Sequence, residues 1–189
     1  MRIKTTNQGY SRFSPDNAIE VIDCLKLQIL NHTLDKILTT NIDLDISDIE
    51  QSVLLEETKR NKYGWSGPFV LKIGNEFLFL QFDGYFCYQI GLNCFVPEKI
   101  IDVKNMPLEN IMTTDKNIYI DISFLYPEIT GKKIIDIYVQ KTLDDRYVSA
   151  IVLVTSNLYY ITVGNDIDNP RMEIFSTKEE MEKTVCAWR

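Results

Sequence analysis

Residues 69–90, FVLKIGNEFLFLQFDGYFCYQI, decide the fold, because they read as a three-stranded antiparallel meander. Asp83-Gly84 joins two aromatic-rich runs, and Asp-Gly supplies the positive φ at both central residues that a two-residue type I′ turn requires. Gly74-Asn75 does the same one strand earlier. Two-residue loops set the register: Ile73 opposes Glu76, Leu71 opposes Leu78, Phe82 opposes Tyr85 and Leu80 opposes Cys87. Side chains alternate along a strand. Phe69, Leu71, Ile73, Leu78, Leu80, Phe82, Tyr85 and Cys87 then share one face, and Val70, Lys72, Phe77, Phe79, Gln81, Phe86 and Tyr88 the other. Both faces are largely apolar, so the meander is either covered on both sides or offers one face as an aromatic binding surface.

Outward from this stretch, Ser14, Pro15 and Asp16 carry a helix start, and Ile19, Ile22 and Cys24/Leu25 give it a short apolar stripe. The alternation of Leu25, Leu27 and Ile29 predicts that this helix ends early and a strand follows. Residues 34–46 continue in β fashion. Ser47-Asp48-Ile49-Glu50 has the capping-box pattern and predicts a helix over 48–60. Residues 61–68, NKYGWSGP, form a loop holding an aromatic pair. Strands are expected over 99–104, around Ile118, Ile120 and Ile122, and over 134–140, 148–154, 158–163 and 171–175. Thr155-Ser156-Asn157 makes a second hairpin. A further box at Ser176-Thr177-Lys178-Glu179 starts a C-terminal helix whose apolar side is Met181 and Val185.

Laid over one another, the halves are self-similar. Residues 31–37 (NHTLDKI) match 131–137 (GKKIIDI), and 70–80 match 151–161. The expected architecture is α+β and mainly antiparallel β: two similar β-meander units, with a few short helices including the C-terminal one. A single domain is expected over the 189 residues, and the match reads either as an internal duplication of 25–104 and 117–189 or as the apolar alternation that any two β segments share. A chain of this length buries roughly 70% of its extended surface.

Composition excludes more than it assigns. No run approaches the ~18–20 apolar residues that span a bilayer, and Met1-Arg2-Ile3-Lys4-Thr5 leads into polar residues rather than an apolar signal core, so a soluble cytoplasmic protein is expected. Twenty basic against 27 acidic residues leave a net charge of −7. That balance disfavours direct nucleic-acid binding and leaves a basic partner attractive. Cys24, Cys87, Cys94 and Cys186 are scattered, which fits four free thiols and no metal. His32 is the single histidine. It lies in a polar Asn-His-Thr context that suits a solvated turn better than a catalytic base. Asp166-Ile167-Asp168-Asn169 and Asp43-Leu44-Asp45 lack the glycine and glutamate of a calcium loop. Glu56-Glu57 and Asp144-Asp145 diverge as neighbours and make no acid/base pair. No catalytic residue, cofactor or metal site is expected.

The segment GKKIIDIYV followed by the hairpin IVLVTSNLYYI resembles the immunity proteins of bacterial contact-dependent and polymorphic toxin systems, over about residues 129–175 and more faintly in the earlier copy. The resemblance implies a non-enzymatic, stoichiometric inhibitor that occludes the active site of a cognate toxin, often a basic nuclease. It transfers no functional residue by position. From charge and exposed aromatics, the candidate partner-binding residues are Glu56, Glu57, Tyr63, Trp65, Asp83 and Tyr85. Two other readings stand beside this one: a β domain holding an apolar small molecule, and an enzyme without a recognisable motif.

Overall fold

The computed structural model describes residues 11–13, 18–39, 56, 69–83, 87–94, 96–104, 118–141, 148–166 and 169–186. In chain order these form β1 (Ser11–Phe13), α1 (Ala18–Ile29), β2 (Leu34–Thr39), β3 (Phe69–Ile73), β4 (Glu76–Asp83), β5 (Cys87–Leu92), β6 (Lys99–Ile101) and β7 (Ile118–Asp121). A 3-10 turn (Ser123–Leu125) follows, then β8 (Ile134–Lys141), β9 (Val148–Thr155), β10 (Tyr160–Asp166), β11 (Asn169–Phe175) and α2 (Lys178–Val185). The strands make a seven-stranded sheet, β1-β5-β4-β3-β2-β7-β6, and a four-stranded one, β11-β10-β9-β8. Among them β6–β7 is parallel and the other pairings are antiparallel. The architecture is α+β, mostly antiparallel, with a C-terminal helix.

Helix α1 corrects the expected strand from Leu25. Ala18, Val21, Ile22, Leu25 and Ile29 are buried. That i, i+3, i+4, i+7, i+11 spacing is one face of a helix, and burying five side chains together outweighs the short-range alternation of Leu25, Leu27 and Ile29. Ile19, expected in the apolar stripe, points to solvent instead. The helix start expected at Ser14 and Pro15 lies outside the described residues.

The central meander forms with one register confirmed and one corrected. Ile73 opposes Glu76 and Leu71 opposes Leu78 as expected. The turn between them has its positive φ at Gly74 (58°) and not at Asn75, the placement of a type II′ rather than a type I′ turn. Asp83-Gly84 is not a two-residue turn. Asp83 pairs with Cys87, Phe82 with Tyr88 and Leu80 with Ile90, so three residues connect β4 to β5. The pairing is displaced by three from the expected register, an odd number, which exchanges the faces of β5. This register sets Ile90 opposite Leu80 and Leu92 opposite Leu78, and Ile90 is fully buried in one cluster with Leu78 and Leu80.

The two four-stranded meanders, β2–β5 and β8–β11, repeat in detail. Asn31 and Gly131 both have positive φ (66° and 79°). Both first pairings carry the same irregularity, between Leu34 and Lys36 and between Ile134 and Asp136. The segments cross each other at a Thr33–Lys133 bridge. There Leu34 N–H donates to Lys132 O at 2.8 Å while Ile134 N–H donates to His32 O at 2.9 Å. Asn31 N–H reaches Ile134 O at 2.7 Å and Gly131 N–H reaches Leu34 O at 2.8 Å. Adding or subtracting 100 turns each bond into its counterpart. The structural match starts at Asn31, since Leu25 belongs to α1, and it aligns Leu71 with Leu153 and Val70 with Val152. The expected match of 70–80 to 151–161 is therefore one residue out, which is enough to swap faces.

One apolar cluster draws on α1, both sheets and the residues after β6 and β7, including Leu25, Leu71, Ile90, Val103, Tyr126, Leu153 and Val163. On the far side of the smaller sheet, Ala150, Val152 and Phe175 pack with Met181 and Val185 of α2. Thr177 caps that helix by accepting the Glu180 N–H, so the cap falls one residue beyond the expected Ser176. On the far side of the larger sheet, Leu38, Val70, Phe79 and Tyr119 are also buried. The apolar faces of β3 and of residues 78–80 are covered on both sides, which removes them as an open aromatic surface.

Candidate partner-binding surface

Of the six residues expected to meet a partner, Glu56 is helical and exposed. Asp83 ends β4, where its backbone pairs with Cys87. Glu57, Tyr63, Trp65 and Tyr85 lie outside the described residues, as does the rest of the helix expected over 48–60 and the loop over 61–68.

The structure adds a surface that the sequence reading missed. With five apolar residues turned inward, α1 presents Ile19, Glu20, Asp23, Leu27 and Gln28 outward. Ile19 is 76% exposed and Leu27 89%. The spacing of Ile19, Asp23 and Leu27 is i, i+4, i+8, so the three follow one another along the outer wall of the helix. The basic residue of α1, Lys26, is drawn sideways: its Nζ lies 3.2 Å from Asp136 Oδ1 on β8. Backbone bonds from Leu30 to Lys26 and from His32 to Ile29 finish the helix, and Asn31 N–H ties its end to β8. The signal for this surface was present in the sequence. Placing Leu25 and Ile29 on a helical face leaves Ile19 and Leu27 no inward position.

The polar clusters elsewhere serve the fold. Asp121 is nearly buried and fully engaged: Oδ1 accepts from Ser123 N–H (3.0 Å) and Ser123 Oγ (2.5 Å), and Oδ2 accepts from Lys36 Nζ (2.5 Å). Ser123 Oγ in turn accepts the Ile37 N–H at 2.8 Å, providing a partner for the backbone beside the irregularity in β2. Asp121 thereby starts the 3-10 turn and pins it to β2. His32 is exposed and lies against Gly74, where an added Cβ would come within 2.9 Å of Nδ1.

Cys24, Cys94 and Cys186 are free thiols. Burial pushes the Cys94 thiol up, against a smaller lowering by a backbone hydrogen bond from Leu92, which disfavours the nucleophilic thiolate. Cys186 Sγ accepts from Gln140 Nε2 at 3.3 Å and links the end of α2 to β8. Among the described residues, no group of three His, Cys, Asp or Glu side chains is placed to hold a metal ion, and no helix is long and apolar enough to cross a membrane.

No protein-family model, no curated protein and no solved structure matches this chain.

Proposed function

We propose that this protein is a non-catalytic inhibitor that binds a basic bacterial toxin in the cytoplasm and neutralises it by occluding its active site, in the manner of an immunity protein. The observation that carries the reading is the acidic balance, 27 acids against 20 bases, combined with exposed Glu56 on a helical segment. An acidic surface steers a basic partner into encounter and repels the nucleic acid on which a nuclease toxin acts. Asp121 and Lys36 fasten a turn, and Asp136 and Lys26 fasten a helix.

The test is binding to the product of an adjacent gene for a secreted protein with a C-terminal toxin domain. A one-to-one complex is expected, with affinity falling as salt rises. Trp65→Ala should cost about 2 kcal/mol of binding, and Glu56→Lys with Glu57→Lys should chiefly slow association. No complex, or one indifferent to salt and to all three substitutions, refutes the proposal.

A further inference from the structure

We infer that the outward wall of α1 is a docking surface for that basic partner, with Ile19 and Leu27 entering an apolar groove and Glu20 and Asp23 meeting cations on its rim. The inference rests on the inhibitor reading for the identity of the partner, and on the structure for the surface.

A helix packed on a core ordinarily turns charged and polar residues to water. Here the most outward positions include two large aliphatic side chains, 76% and 89% exposed, one on each side of Asp23 along the wall. A single exposed leucine is commonplace. Two on the outer side of one helix, with acids at the intervening Glu20 and Asp23, combine apolar anchors with acidic flanks, the elements by which a helix seats in an apolar groove with a charged rim.

Charge selects the kind of groove. Lys26 is engaged with Asp136, so the exposed charges on this wall, Glu20 and Asp23, are both negative. A groove rimmed by Lys or Arg matches them, and an acidic one is repelled. The wall is also pre-organised. Five buried side chains fix the roll of α1, and the Lys26–Asp136 pair and the Asn31 N–H bond fasten its end to β8, so little ordering is left for the moment of binding.

The experiment uses the full chain and the purified, catalytically inactivated toxin domain from the adjacent gene. Affinity and rates are measured at low and high salt for the wild type, for Ile19→Ser with Leu27→Ser, and for Glu20→Lys with Asp23→Lys. The aliphatic pair should weaken affinity by about 30-fold or more, mostly through faster dissociation. The charge pair should slow association about 10-fold and flatten its salt dependence. Hydrogen exchange on the unmutated chain gives a readout independent of variant folding: amides 19–28 should slow on complex formation. If the wild type binds while both variants keep its affinity, or those amides keep their free exchange rates in the complex, the docking surface is refuted and the inhibitor reading stands. If the wild type fails to bind, both fall.

Discussion

Strands β2–β5 and β8–β11 follow one plan with different side chains, and the differences show which parts of the plan sequence identity must supply. At the irregularity shared by the two first strands, one half has Lys36, held by Asp121, and the other has Asp136, held by Lys26. The charges are opposite and the backbone is the same. At the crossing, Asn31 and Gly131 both take positive φ, and the reciprocal bonds around Thr33 and Lys133 involve main chain alone. The halves diverge where the plan allows it. A twelve-residue helix precedes β2, whereas β8 follows a 3-10 turn; the β3–β4 turn has two residues, and β9 closes onto β10 through Ser156, Asn157 and Leu158. Repeated structure is thus kept by burial pattern and backbone bonding, with residue type free at most exposed positions.

The largest test asks whether the halves stand or fall together. Leu71 and Leu153 occupy equivalent positions, are both fully buried, and belong to one apolar cluster. Leu71→Ala and Leu153→Ala should each cost about 2–5 kcal/mol, with a single urea transition of unchanged slope. Two separated transitions in either variant would show that each meander folds on its own, and the shared core would lose its meaning.

The turns give a graded second test. Gly74 has positive φ and an added Cβ would crowd His32, so Gly74→Ala should cost about 2 kcal/mol. At Gly131 the φ is positive but the space is open, and Gly131→Ala should cost about 1 kcal/mol. Leu158 is a non-glycine residue held at φ 62°, its N–H bonded to Thr155 O at 2.8 Å and the loop braced by Asn157 Nδ2 on Glu128 O. Leu158→Gly should therefore stabilise, by up to about 1 kcal/mol. Thermal unfolding of the three variants should give two decreases and one increase, and any other ordering breaks the account of the turns.

These cases also mark what could be read in the sequence. The strands around Gly74, the match of 31–37 to 131–137 and the C-terminal helix were legible because alternation and turn chemistry agree locally. Residues 25–29 were not, because Leu25, Leu27 and Ile29 satisfy a strand period and a partial helix period at once, and burial by distant strands decides between them. The β4–β5 register failed for a related reason. Asp83-Gly84 favours a two-residue turn locally, while a three-residue connection sets Ile90 against Leu80 in the core, and the core prevails. The candidate surface suffered from the first error: a strand over 25–29 hides the outward wall of α1 that Ile19 and Leu27 occupy.

The smallest effect separates the outer faces of the two meanders. Leu38 and Tyr138 are equivalent, and where Leu38 is wholly buried and apolar, Tyr138 brings a hydroxyl under α2. Among the described residues, its Oη is the buried side-chain polar atom without a hydrogen-bond partner. Burial, then the neighbouring charges of Tyr160, Glu182 and Asp136, push its pKa up to about 12 from an ordinary 10.0. The folded state therefore holds this proton where the unfolded chain has lost it. The associated stability is fully present below pH 10 and is lost as pH rises from 10 towards 12. Tyr138→Phe removes the titration, so urea midpoints taken at pH 9, 10.5 and 11.5 should fall less steeply in the variant than in the wild type. Burial raises Tyr119 as well, so a residual alkaline slope is expected in both. Near pH 7 the variant should match or slightly exceed the wild type, because an unpaired buried hydroxyl costs desolvation with no bond in return. A loss of more than about 1 kcal/mol at pH 7 would mean that the hydroxyl has a partner after all. The two outer faces would then differ in kind, with a polar contact under α2 where the other half has Leu38.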